Sequence, residues 1–209
     1  MKPILLNTEM VKAILDGRKT QTRRVIPLKN NDLIFTGFVV SSTAKNREGY
    51  CAFGKNKERD LEFVKPHYKV GDILYVKETW TLGKKFTIKP ENVWYIRNDL
   101  GNEVYYKADL NDNFYDPDNI CKWKPSIHMP KKYARIFLKV INVRVERLDN
   151  YGLNVKKEGI RENGFYTFAV DSERERKRLF IEHWNSTAKD GYKWGNNPYV
   201  FVYEFERIH

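Results

Sequence analysis

The sequence has 209 residues, 41% apolar and 14% aromatic, which is enough for a real core and argues against a disordered chain; the length suits one domain, or one domain with insertions. Thirty-eight Lys and Arg against 27 Asp and Glu give a net charge of +11, which suits either a polyanionic partner, whose counterions clustered cations release, or simply a basic surface. Cys51 and Cys121 lie far apart without a CxxC, and no signal peptide or long apolar run is read, so a cytoplasmic setting without membrane contact is expected.

Taken in chain order, Ile4–Leu6 reads as a first strand. Asn7 or Thr8 then caps a short helix with Val11, Ile14 and Leu15 at helical spacing, and Gly17 ends it. Lys19–Ile26 reads as a strand closed by Pro27, and Lys29–Pro66 as a polar, loop-rich insertion. A turn at Gly71 leads into a strand from Ile73 through Trp80, and Val93–Arg97 with Glu103–Ala108 reads as a hairpin around Gly101. Tyr133–Leu148 is a long strand with a phase change near Ile141. Asp171 or Ser172 caps a helix carrying Leu179, Phe180, His183 and Trp184 on one side. Tyr199–Arg207 is apolar on both faces at its start, which predicts a central strand. The pattern predicts an α+β class with a small barrel.

Between Met10 and Asn30 there are six Lys or Arg against one Asp. Period two puts Thr20, Thr22 and Arg24 on one face and Gln21, Arg23 and Val25 on the other. Two hydroxyls and a guanidinium on one face suit a phosphate or the polar edge of a base; an exposed edge strand has the same composition. Glu78 is in phase with Leu74, Val76 and Trp80, so it either closes an inward row, where it can pair with Lys19 or Arg24, or ends the strand in solvent. Lys124–Pro130 holds two prolines and suits a rigid pocket wall, with Ser126, His128 and the nearby Arg135 as ligand contacts. Trp80, Trp123 and Trp194 suit either base stacking or the core. Asp109, Asp112, Asp116 and Asp118 lack EF-hand spacing, and the four histidines make no zinc pattern, so neither metal nor cofactor is expected.

The segment Gly17-Arg18-Lys19-Thr20-Gln21-Thr22-Arg23-Arg24 resembles the ASCH signature GxKxxExR of the PUA-like superfamily, with Thr22 in place of the signature Glu. The GRKTxTxR form is similar to that of the small bacterial acetylcytidine amidohydrolases. The stretches Asn7–Arg24, Gly71–Trp80 and Lys124–Pro130 resemble phage and prophage ASCH proteins, and Tyr199–Phe205 resembles the closing strand. The resemblance implies one PUA-like β-barrel domain over 1–209, with insertions at about 29–66 and 83–121. It implies an RNA, single-stranded nucleic acid or nucleoside ligand, for which the residues themselves offer Arg18, Thr20, Arg23, Arg24, Glu78, Trp80, Ser126, His128 and Arg135 as candidate contacts. The amidohydrolase likeness implies a Lys19, Thr22 and Glu158 catalytic set, with Lys19 placed in the turn before the strand. A prophage interaction protein on a barrel scaffold is the third expectation.

Overall fold

The computed structural model describes residues 1–30, 32–40, 45–55, 61–116, 120–149, 157–158 and 173–208. Contacts divide the chain into two units: Met1–Arg18 with Ile73–Leu138 and Arg207–His209, and Lys19–Asp72 with Lys139–Glu206.

In the first unit, β1 (Lys2–Leu5) runs parallel to β6 (Ile73–Lys77), with Ile4 opposite Val76. Helix α1 (Thr8–Leu15) starts at Asn7, whose side chain accepts from the Met10 amide at 2.8 Å, satisfying one of the free donors of the first turn. It buries Val11, Ala13 and Ile14 and ends at Gly17, whose φ of 72° only glycine adopts without penalty. The strand expected from Ile73 through Trp80 is broken after Lys77, and a second strand, β7 (Trp80–Ile88), begins at Trp80. The buried row of Leu74, Val76, Glu78 and Trp80 nevertheless continues across the break.

The hairpin expected around Gly101 is corrected. Strands β8 (Val93–Arg97) and β9 (Glu103–Tyr106) form where expected, but β7 lies between them and pairs antiparallel with both. Gly83 makes this possible, because a Cβ there would sit 2.6 Å from the Arg97 carbonyl oxygen. Only a residue without a side chain lets β8 come that close.

In the second unit, β10 (Phe137–Arg147, here from Lys139), β11 (Tyr199–Ile208) and β2 (Gln21–Val25) are neighbours in that order, so β11 is central as its composition predicts. Its alternation feeds two cores. Phe201 and Tyr203 pack with Ile26, Leu33, Cys51 and Phe53, while Val200 and Val202 pack with Leu148 and Phe180 of α2 (Glu173–Thr187). The capping candidates Asp171 and Ser172 lie outside the described residues. The stretch 29–66, expected to be loop-rich, carries a three-stranded sheet of β3 (Ile34–Phe38), β4 (Cys51–Gly54) and β5 (Glu62–Val64). Buried Cys51 and Phe53 anchor it to the core, a packing signal too short to stand out in a polar stretch. The fold is α+β; among the described residues the sheets are open and no closed barrel forms.

Candidate functional site

The residues after Gly17 are held extended before β2 begins. Lys19 forms an antiparallel bridge with Glu158. The Thr20 amide donates to the Lys157 carbonyl at 2.9 Å, and its own carbonyl accepts from the Phe205 amide at 2.9 Å. The period-two alternation of β2 therefore extends back to Lys19, and Lys19, Gln21 and Arg23 share a face. All three converge on one carboxylate. Lys19 Nζ donates to Glu158 Oε2 at 3.1 Å and to its backbone oxygen at 2.9 Å. Gln21 Nε2 donates to Oε1 at 3.0 Å, and Arg23 Nη1 donates to the same oxygen.

The network spreads across the sheet. Arg23 Nη2 reaches Glu146 at 3.2 Å, and Arg144 donates to Glu146, to Glu204 at 2.7 Å and to the Gln21 side-chain oxygen at 3.2 Å. Lys157 Nζ also donates to Glu204, at 3.2 Å. At its centre Lys19, Gln21, Arg23 and Glu158 are 2%, 0%, 4% and 5% exposed. Charges this buried persist only when paired and hydrogen-bonded. Burial lowers the Lys19 pKa below its ordinary 10.5; Glu158 opposes this, and Arg24 and Arg23 add to it. The His183 pKa is also lowered, by burial and then by the Lys19 charge, with Glu158 opposing. Phe180, one helical turn before His183 on α2, lies under the Arg23 guanidinium at 5.9 Å. Arg23 Nε is a buried donor without an acceptor among the described residues.

Of the expected catalytic set, Lys19 and Glu158 meet although 139 residues separate them. Thr22 does not share their face. In the β2–β11 register Thr22 is opposite Tyr203 and Arg24 opposite Phe201, whereas Arg23 is opposite Val202 and Gln21 opposite Glu204. Directly paired residues point to the same side, so buried Thr22 belongs to the Tyr203 side and Lys19 to the α2 side. The pair expected to act together is separated by the sheet. Thr20 is exposed, Arg24 is half-buried, and Arg18 is held by Asp16 at 2.8 Å.

The remaining expected ligand residues lie in the first unit. Glu78 is 1% exposed, which corrects the solvent-facing alternative, and the cation it holds is Arg135. Arg135 binds Glu78 through two bonds of 2.9 and 3.0 Å and Asp109 through two of 2.7 and 2.8 Å. It also lies 3.9 Å from the Tyr106 ring centroid. Burial raises the Glu78 pKa, against Arg135. Trp80 packs on Tyr133 at 5.0 Å under Lys124 Nζ at 4.9 Å, and its indole N–H has no acceptor among the described residues. Backbone bonds of 2.8 and 3.2 Å tie Lys124 to Trp80. Ser126 is half-buried and His128 exposed. Trp194 packs on Phe180 and Trp123 on Phe114.

Sequence reasoning missed Gln21, Arg144, Glu146 and Glu204 as members of the network. The available signal was the placement of both charge signs inside strands, at Arg144 and Glu146 of β10 and Glu204 of the otherwise apolar β11. Compared with family models, curated proteins and solved structures, the chain shows no match to any of them.

Proposed function

We propose that this chain is an ASCH-type, PUA-like protein that binds a nucleobase, free or within RNA, at the Lys19–Gln21–Arg23–Glu158 cluster. The reading is carried by one observation: four polar side chains that converge on one face of β2 and are almost wholly removed from water. A cluster of this kind is a poor way to gain stability, since apolar packing of equal volume does as well or better, and such clusters concentrate at functional sites. The Gln21 amide offers a donor and an acceptor, Glu158 accepts, and Lys19 and Arg23 donate, the set that matches the mixed hydrogen-bond edge of a base. In the free chain these groups satisfy one another, and a base exchanges with those bonds.

Titration calorimetry with cytidine, uridine and short oligonucleotides tests this. Gln21→Leu should weaken binding roughly fivefold or more, the worth of about one hydrogen bond. Absence of nucleoside binding by the parent chain, or unchanged affinity in Gln21→Leu, defeats the reading.

A second reading, hydrolysis of an N-acylated cytidine, is favoured by the lowered Lys19 proton affinity beside a carboxylate, which suits proton transfer. The Thr22 position counts against that residue as nucleophile. Incubation with acetylcytidine, followed by chromatography for cytidine, decides. Turnover lost in both Lys19→Met and Thr22→Ala supports the three-residue set; turnover that survives Thr22→Ala removes Thr22 from it. Absence of turnover leaves binding alone.

A further inference from the structure

We propose that one face of the β7–β8 ribbon is a stacking surface for single-stranded nucleic acid. Register places Lys84 opposite Arg97, Phe86 opposite Tyr95 and Ile88 opposite Val93, so these six side chains share a face. The opposite face is packed along β8, while Lys85 and Thr87 of β7 are exposed on it. It carries Ile96, 1% exposed, and Trp94, which is edge-on to Phe114 at 4.9 Å and donates from its indole N–H to Asn111 at 3.2 Å.

On the first face Lys84 and Arg97 are exposed, Ile88 is 39% exposed, and Phe86, Val93 and Tyr95 are half-buried. The Phe86 and Tyr95 rings stack at 5.5 Å with 21° between planes, and Lys84 Nζ lies 5.8 Å from the Phe86 centroid. The Tyr95 hydroxyl has no hydrogen-bond partner among the described residues. Aromatic planes flanked by cations are what a flexible phosphate strand requires: bases stack on the rings and phosphates take the charges. Charge complementarity selects this occupant. This face carries Lys84 and Arg97, and the turn beyond Ile88 adds Lys89 against Glu91, in a chain of net +11; Lys85, opposite Ile96, lies on the other face over Trp94 at 4.4 Å. Asp99 holds Arg97 at 2.6 Å in an exposed pair; such pairs are weak, so a phosphate can exchange for it.

This surface does not rest on the nucleobase site. The test is fluorescence anisotropy with labelled oligouridylate and oligothymidylate of about twelve nucleotides, a length within the usual site size. Both should bind, with affinity falling steeply between about 50 and 200 mM salt. Phe86→Leu with Tyr95→Leu should weaken binding roughly five- to hundredfold. Lys84→Gln with Lys89→Gln should reduce the log–log salt slope by about 1.4. Far-ultraviolet circular dichroism establishes that each variant is folded. Titration of free nucleoside, which reports on the Lys19 cluster, should be unchanged in both. A preference between the two strands reports on the 2′-hydroxyl and supports the surface either way. No binding at low salt, equal affinity for a duplex of the same length, or insensitivity to the aromatic pair overturns the proposal. Should both aromatic and charge variants fail to fold, Tyr95→Phe and Lys84→Arg supply the conservative comparison. They must then bind as the parent does, and a tenfold loss in either overturns it.

Discussion

Replacing Glu158 by Gln removes one negative charge from the buried cluster with little change of shape. Glu158 Oε2 is the side-chain anion of Lys19, at 3.1 Å, while Oε1 serves Gln21 and Arg23. Arg23 also holds Glu146 at 3.2 Å, and Lys19 the Glu158 backbone oxygen at 2.9 Å, contacts that do not use the replaced carboxylate. A glutamine offers one neutral oxygen to the three donors. Removing one partner of a buried pair costs about 3–5 kcal/mol, because the remaining charge stays desolvated. Lys19 can shed its proton more easily than an ordinary lysine, so the lower end, about 3 kcal/mol, applies. At about 2–4 °C per kcal/mol for a chain of this length, Tm should fall by about 6–12 °C. Urea denaturation at neutral pH measures the loss, and a cycle with Lys19→Met isolates the pair. The double variant should be more stable than the sum of the single losses implies, by about 1 kcal/mol or more. Glu158→Gln within about 0.5 kcal/mol of the parent, the range of an ordinary surface change, would refute the reasoning, as would strict additivity.

The pH dependence follows from the same lysine. Its folded pKa lies below the ordinary 10.5, so the unfolded chain binds this proton more tightly. The group's contribution to stability is present above 10.5 and is lost as pH falls through the folded value. Stability curves of parent and Lys19→Met should diverge in that window; parallel curves would remove the assignment. Burial pushes Cys51 up to about 12 and Cys121 up to about 11, so both should resist iodoacetamide in the native chain and react in urea. Rapid native labelling of Cys51 would place it outside the core. Gly83→Ala puts a Cβ 2.6 Å from both the Arg97 carbonyl oxygen and Ile96 Cγ2, and should cost about 1–3 kcal/mol; an unchanged denaturation midpoint would mean that β8 does not approach as described.

Much of the strand layout was legible because burial imposes a strict period of two. The twin apolar faces of Tyr199–Phe205 predict a strand flanked on both sides, whereas the phase shared by Leu74, Val76 and Glu78 leaves Glu78 open between an inward row and solvent. Pairing partners were not legible. Two strands joined by a short glycine turn read as a hairpin, and nothing local reveals that β7, from earlier in the chain, separates them. Period two also assigned Gln21 and Arg23 to the face opposite Thr22 and Arg24, but it could not say which face held the polar cluster. That depended on Glu158, far along the chain. The resemblance named Lys19 and Glu158 as a pair, and their contact is present; it also named Thr22, which the β2–β11 register puts on the other side.

The cluster has no local contact at its centre. Its bonds to Glu158 join residues 139, 137 and 135 positions apart. Loop closure over such spans carries an entropic cost that a fragment with a few native contacts does not recover. Formation of α1 and β2 alone does not create the site, because its central bonds need Glu158. The site is therefore expected to open and form with the long-range pairing of the chain rather than with its local elements. The Thr20 amide, bonded to the Lys157 carbonyl at 2.9 Å, is its natural reporter, and its hydrogen exchange follows the opening of this bridge separately from the sheet interior.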